Sequence, residues 1–134
     1  METIFKYDLK GNIVDTIDIK RTFGENYYMS SSTKFLFTSD SRFIIFNSGI
    51  DETMKDEEGP VEVIFAYDTK SKGITRLSPK GMFAFDLNIE SDQSAIFSGS
   101  KENEKQNNIY RVDLISKKVE LIIKNGTRPT MCIK

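Results

Sequence analysis

The sequence contains no histidine and no tryptophan, and it has a single cysteine, Cys132. The absence of histidine removes the commonest general base and metal ligand, along with every Ser–His and Cys–His catalytic pair. One cysteine cannot form an internal disulfide or a CxxC zinc motif, and the apolar neighbours of Cys132 favour a buried, inert thiol. The glycines are scattered at turns and form no phosphate-binding loop. These absences argue against catalysis, and we expect no cofactor and no metal.

The chain also lacks a long apolar run and a strong net charge. No segment approaches the length of a membrane span, and the start, Met-Glu-Thr-Ile-Phe-Lys, lacks the basic and apolar regions of a signal peptide. We therefore expect a cytoplasmic protein that does not bind membranes. The formal net charge of −1 gives no overall field for nucleic acid. The basic residues near the C-terminal end also lack the aromatic stacking pattern of a nucleic-acid binder.

Short strand-like runs fill the sequence, and helical periodicity is hard to find. Hydrophobic residues make up 38% of the chain, with ten Phe and five Tyr as bulky core material. The runs are rich in β-branched and aromatic residues and are separated by turn residues, which predicts an all-β protein. They are Thr3–Leu9, Ile13–Ile19, Lys34–Thr38, Phe43–Asn47, Glu62–Tyr67, Ile74–Leu77, Met82–Ile89, Ala95–Ser98, Asn108–Leu114 and Val119–Ile123. In Ile13–Ile19, the odd positions are expected to share one apolar face.

Two kinds of segment recur along the chain in a fixed order. An apolar and aromatic strand that ends in Asp occurs three times, at Asp8, Asp68 and Asp113. A segment that starts with Ser-Asp occurs twice, at Ser39–Ile45 and Ser91–Phe97. Interleaved, the segments form a four-strand unit that is used twice. Because the three Asp residues are equivalent by repeat, we expect them to cap turns by accepting backbone hydrogen bonds.

This ordered recurrence resembles the blades of TolB-like and WD-repeat β-propellers, and those of prolyl oligopeptidase-type enzymes. In such blades a Ser-x-Asp-Gly-type turn joins the first two strands, and an Ile-Tyr-x-x-Asp strand is the third. The Ser-Asp pairs at 39–40 and 91–92 stand at that turn, without the usual Pro or Gly, and residues 65–68 and 110–113 stand at the third strand. The resemblance implies antiparallel four-stranded propeller-type blades in a partial propeller.

The resemblance also implies how a single all-β domain would be divided. Residues 1–33 would form a partial blade, 34–81 and 82–123 two full blades, and 124–134 a closing or edge strand. Propellers usually close with about four to eight blades, which is more than this chain supplies. Three arrangements stay open: a stand-alone partial propeller with protected edges, pairing with a second copy, or a fragment. The strand-like Thr130–Ile133 would pair with the N-terminal partial blade.

Two long polar loops are the predicted contact surface. They join the second and third strands of the two units, so they should emerge at the same end of the sheets. The first loop is acidic but lacks the spacing of an EF-hand, so no metal is expected there. The predicted partner-binding residues are Asp51, Glu52, Asp56, Glu57, Glu58, Glu102, Glu104 and Asn107. Tyr27, Tyr28 and Met29 are interpreted as a core strand, with an exposed aromatic contact site as the alternative.

Charge is unevenly distributed along the chain. Residues 1–68 carry 13 Asp and Glu against 7 Lys and Arg, whereas residues 69–134 carry 7 against 12. Chance along a solvated surface explains this, but so does a charged protein partner or a head-to-tail neighbour.

The main functional hypothesis is a non-catalytic protein-binding module. Its most concrete form is a bacterial immunity protein that neutralises a cognate toxin by binding to it directly. The expected partner is a basic domain of that toxin. Three alternatives stay open: a homodimer, a fragment or relative of a larger TolB-like or peptidase propeller, and a carboxylate-based small-ligand binder or enzyme.

Overall fold

The chain folds into three antiparallel sheets and one short helix. The structure, a computed structural model, describes residues 3–29, 33–52, 54 and 59–131. A two-stranded sheet contains β1 (Thr3–Tyr7) and β2 (Ile13–Asp18) and is followed by α1 (Ile19–Phe23). The first four-stranded sheet contains β3 (Phe35–Phe37), β4 (Phe43–Ile50), β5 (Val61–Asp68) and β6 (Ile74–Arg76). The second contains β7 (Met82–Ser91), β8 (Ser94–Lys101), β9 (Asn108–Asp113) and β10 (Val119–Ile123).

Every strand pairs with its neighbour along the chain. The spatial order is β3-β4-β5-β6 in the first four-stranded sheet and β10-β9-β8-β7 in the second, and all pairings are antiparallel. Each predicted strand-like run corresponds to one observed strand, with boundaries shifted by a few residues. The predicted all-β class is therefore confirmed.

The three repeated Asp residues cap equivalent turns. In Asp8, Asp68 and Asp113, Oδ1 accepts a hydrogen bond from the backbone N–H two residues later, at 2.8, 2.9 and 3.0 Å. The turns continue through residues with left-handed backbones, Lys72 and Lys117, each with a φ of 61°. The capping role predicted from the repeat is confirmed, since each carboxylate satisfies backbone donors that its turn would otherwise leave free.

The first four-stranded sheet is buried on both faces. Successive side chains of a strand point to opposite faces. In β4, Phe43 and Ile45 therefore face the second four-stranded sheet, whereas Ile44 and Phe46 pack with α1 and the two-stranded sheet. The middle sheet thus separates two apolar cores, and its loops project from a scaffold held on both sides.

Helix α1 was not predicted from the sequence. Asp18 ends β2 because its Oδ1 accepts the N–H of Arg21 at 2.7 Å, which caps the first turn. Gly24, with a φ of 87°, ends the helix after five residues. No helix among the described residues has the length and apolar character that crossing a membrane requires.

A β-bulge changes the face that β2 presents. Lys6 in β1 pairs with Asp15 in β2, but the next residue, Tyr7, pairs with Ile13. Val14 therefore has no partner in β1 and forms the bulge. Ile17 packs against the core, whereas Ile13 is 54% exposed. The prediction of one apolar face along Ile13–Ile19 is therefore wrong.

The chain beyond β10 lies on the outer face of the second four-stranded sheet. The N–H of Arg128 donates to Oγ of Ser98 at 3.0 Å, and Met131 lines a cleft on that face. The described part of the predicted strand Thr130–Ile133 therefore lies on the second four-stranded sheet. Cys132 lies outside the described residues.

Candidate functional site

The two predicted contact loops meet at the link between the four-stranded sheets. Oε1 of Glu52 accepts the N–H of Gly81 at 3.2 Å, and the N–H of Glu102 donates to the carbonyl of Gly81 at 3.0 Å. Glu52 follows β4 and Glu102 follows β8, so the loops leave equivalent positions in the two sheets. The two loops therefore begin next to each other, and their role in binding stays a prediction.

Glu52 is held by Arg76. The two side chains form a bidentate ion pair and are only 18% and 20% exposed. Arg76 also donates to the carbonyls of Ser78 and Pro79, at 2.8 and 3.0 Å. This network ties the loop after β4 to the link between the sheets. Glu52 therefore supports the loop, and less of its charge is available to a partner.

The ion pair predicts a specific dependence of stability on pH. The hydrogen bond from Arg76 is the main cause that lowers the pKa of Glu52 below its ordinary 4.5. A carboxyl whose pKa is lowered by folding stabilises the folded state above its unfolded pKa, and this contribution is lost as pH falls through the folded pKa. We expect Glu52→Gln to lower the free energy of unfolding by about 1–3 kcal/mol at neutral pH. The difference from the wild type should shrink in acid.

Urea unfolding of both proteins near neutral pH and near pH 3 checks this prediction. Glu120→Gln is the matched control, because Glu120 is 47% exposed and its ion pair is with the exposed Lys118. A loss that is equal at both pH values would show that Glu52 acts through packing alone.

Asp51 lies in a cleft with aromatic walls. The hydroxyl of Tyr28 donates to Oδ2 of Asp51 at 2.9 Å, and this hydrogen bond is the main cause that raises the pKa of Tyr28. The backbone of Tyr28 is fixed by its bridge to Gly49 in β4. The cleft has a volume of about 420 Å³. It is lined by Glu25, Asn26, Tyr27, Tyr28, Ile50, Asp51 and Phe65.

Tyr27 and Tyr28 have different environments. The ring of Tyr27 packs edge-on against Phe65 with centroids 4.9 Å apart, as expected for a core residue. Tyr28, however, is 55% exposed and makes only an isolated bridge. The interpretation of this segment as a core strand is therefore wrong for Tyr28, which is exposed, and the alternative of an aromatic contact site there stays a prediction.

The second loop lies beside a cleft in which lysines outnumber acidic residues. Oε2 of Glu104 accepts a hydrogen bond from the side chain of Asn108 at 3.2 Å, and the carbonyl of Asn107 accepts the N–H of Gly126 at 3.0 Å. The loop borders a cleft of about 460 Å³. It is lined by Lys101, Glu104, Lys105, Gln106, Asn108, Tyr110, Leu121 and Lys124. The lining of this cleft is therefore mainly cationic, whereas the lining of the cleft at Asp51 contains, among the described residues, only anionic charged residues.

Three of the predicted contact residues, Asp56, Glu57 and Glu58, lie outside the described residues. In the part of the chain that the structure describes, no group of three His, Cys, Asp or Glu side chains is arranged to hold a metal ion. The described part of the predicted contact surface therefore consists of the Asp51 cleft, the Glu52–Arg76 network and the loop around Glu104.

Comparisons with protein-family models, with curated proteins and with solved structures found no match to this chain. Its class is defined by its own architecture, an all-β fold of three open antiparallel sheets.

Proposed function

We propose that this protein is a non-catalytic protein-binding module, most concretely an immunity protein that neutralises a basic toxin by direct binding. The observation that carries the proposal is that the first residues of the two loops, Glu52 and Glu102, both bond to Gly81, beside a sheet that is buried on both faces. Loops on a rigid scaffold are common recognition surfaces because the scaffold fixes their position before binding.

Electrostatics favours a basic partner for the loop after β4. The acidic residues of this loop lie in the half of the chain that carries 13 Asp and Glu against 7 Lys and Arg. Such a surface attracts a basic protein over long distances and raises the association rate, most strongly at low salt. The acidic surface therefore supports an inhibitor that must capture its target quickly.

We further propose that the two four-stranded sheets are propeller-type blades. Their strands follow one another in chain order, and each third strand, β5 or β9, ends at an Asp that caps a turn. The sheets also pack face to face through a shared apolar core. These features support the resemblance to β-propeller blades.

The binding proposal is tested by gentle purification from the native host, followed by measurement of affinity for the captured protein. A combined Asp56→Asn, Glu57→Gln and Glu58→Gln variant should bind a basic partner about tenfold more weakly at low salt, mainly through slower association. Asp15→Asn, combined with Glu120→Gln, removes exposed carboxylates elsewhere and should leave binding unchanged. Elution without a partner, or full affinity in the loop variant, would contradict the proposal.

As a second candidate, we propose that this chain is a fragment or a relative of a larger propeller protein. In each four-stranded sheet, the residue after the repeated Asp donates its N–H to a carbonyl in the turn between the first two strands. Thr69 donates to the carbonyl of Arg42 at 2.9 Å, and Leu114 donates to the carbonyl of Gln93 at 2.8 Å. The equivalent residue after Asp8 is Leu9, whose side chain is fully exposed. Among the described strands, β1 pairs only with β2. The N-terminal sheet thus resembles half of a unit that another chain or segment completes.

Sedimentation measurements on the purified protein separate these functions. A homodimer would support completion of the N-terminal sheet by a second copy. A stable monomer that forms a complex with a basic protein would support the inhibitor function.

A further inference from the structure

The Asp51 cleft combines two aromatic side chains that the fold holds in place. The ring of Tyr27 is wedged between Phe46 and Phe65, with centroid distances of 6.1 and 4.9 Å. Tyr28 is held at its backbone by Gly49 and at its hydroxyl by Asp51. Its ring is nevertheless 55% exposed, so the cleft offers an ordered aromatic surface to solvent.

The charges that line this cleft are all negative among the described residues. Glu25 and Asp51 supply two carboxylates, and the lining contains no Lys or Arg. Oδ2 of Asp51 accepts the hydroxyl of Tyr28, and Oδ1 accepts no hydrogen bond from the described part of the chain. Arg76, which pairs with Glu52, is not part of the lining. Among the described residues, the cleft therefore combines aromatic walls with two carboxylates and no cationic side chain.

The second loop provides an internal contrast. Its cleft is of similar size but is lined by three lysines and one glutamate. A cationic group would be repelled there and attracted to the Asp51 cleft. The charge pattern thus favours the Asp51 cleft over this second cleft for a basic ligand.

We propose that the Asp51 cleft binds an arginine side chain of a basic protein partner. A guanidinium is planar, so it can stack on a tyrosine ring and donate hydrogen bonds to a carboxylate at the same time. The inference rests on the proposed binding function. It adds Glu25 to the predicted contact residues and takes up the alternative role of Tyr27 and Tyr28 as aromatic contacts.

Titration of the 15N-labelled protein with a tetra-arginine peptide, followed by NMR, tests the cleft without the natural partner. We expect saturable shifts centred on the backbone amides of Asn26, Tyr28 and Asp51. A tetra-citrulline peptide, which is neutral and nearly the same shape, should produce none. Tyr28→Leu should weaken arginine binding about three- to tenfold. The double variant Glu25→Gln with Asp51→Asn should weaken it about tenfold or more, and the distant control Glu120→Gln should leave it unchanged.

The inference is overturned if the shifts spread over the acidic surface without saturating, or if both cleft variants retain wild-type affinity for the peptide. The peptide result is independent of the search for a partner. Peptide binding in a protein that captures no basic partner would support the cleft and contradict the proposed function. A basic partner that binds the cleft variants as tightly as the wild type would overturn the cleft inference and leave the proposed function standing.

Discussion

Replacement of Phe46 with alanine is expected to lower the free energy of unfolding by about 3–5 kcal/mol. Phe46 in β4 is fully buried at the centre of the core between the first four-stranded sheet and α1. Its ring contacts the rings of Phe23, Tyr27, Phe35 and Phe65. The surrounding aromatic rings are fixed by different elements, so they cannot move together to fill the cavity. The variant therefore loses both the burial of the ring and its packing.

Urea unfolding, followed by circular dichroism, measures this loss. Phe5→Ala is the matched control, because Phe5 lies on the outward face of β1 and is 50% exposed. The same deletion there should cost less than about 1 kcal/mol. Similar losses for both variants would contradict the placement of Phe46 at the centre of this core. The Phe46 variant should also loosen Tyr27, which couples the stability of this core to the Asp51 cleft.

Gly99→Val is expected to destabilise the protein by about 1–3 kcal/mol or more, through overpacking between the four-stranded sheets. A Cβ atom at Gly99 would lie 2.9 Å from Sδ of Met82 and 3.0 Å from the ring of Tyr110. Met82 can adjust, but the ring of Tyr110 stacks on the fully buried Phe97 with centroids 5.7 Å apart. Relief of the clash must therefore disturb the core that joins the two sheets.

Thermal and urea unfolding of Gly99→Val, compared with Gly73→Val, test this prediction. Gly73 lies in the exposed turn before β6, and the nearest atom to an added Cβ is Oγ of Ser71, at 3.5 Å. Valine should be tolerated much better at that position. If Gly73→Val destabilised the protein as much as Gly99→Val, loss of glycine in a β-rich chain would explain both results, and the close approach in the core would not be needed.

The strands could be predicted because their cause is local. Runs such as Phe43–Asn47 combine β-branched and aromatic residues, and the turns between them use Gly, Asn, Asp and Ser. The grouping into two four-strand units followed from the recurrence of Asp68 and Asp113, whose carboxylates cap equivalent turns. Each of these signals spans only a few residues and acts on the backbone beside it.

Three features were not predicted because the sequence signals for them are weak. Helix α1 has only five residues, which is too short to show a helical period, although Asp18 and Gly24 are ordinary cap residues. The bulge at Val14 depends on how β1 and β2 pair. The choice of Arg76 as the partner of Glu52 depends on how the loop after β4 reaches the link between the sheets.

The candidate site was only partly visible in the sequence for the same reason. Acidic residues identified the loop after β4, and Asp51 does line a cleft. Tyr28 was harder to place, because residue type alone does not separate a buried tyrosine from an exposed one. Its position is fixed by a single bridge to Gly49, a contact between residues distant in the chain.

The chain-order pairing of the strands has a consequence for the speed of folding. Each strand can find its partner by closing a loop of modest length, so little entropy is lost before the first contacts form. All-β proteins usually fold slowly because their strands pair across long separations. In this protein, each sheet can grow outward from any one of its hairpins, with the Asp-capped turns as natural starting points. We therefore expect refolding in milliseconds, faster than a Greek-key sandwich of the same size, as stopped-flow measurements would show.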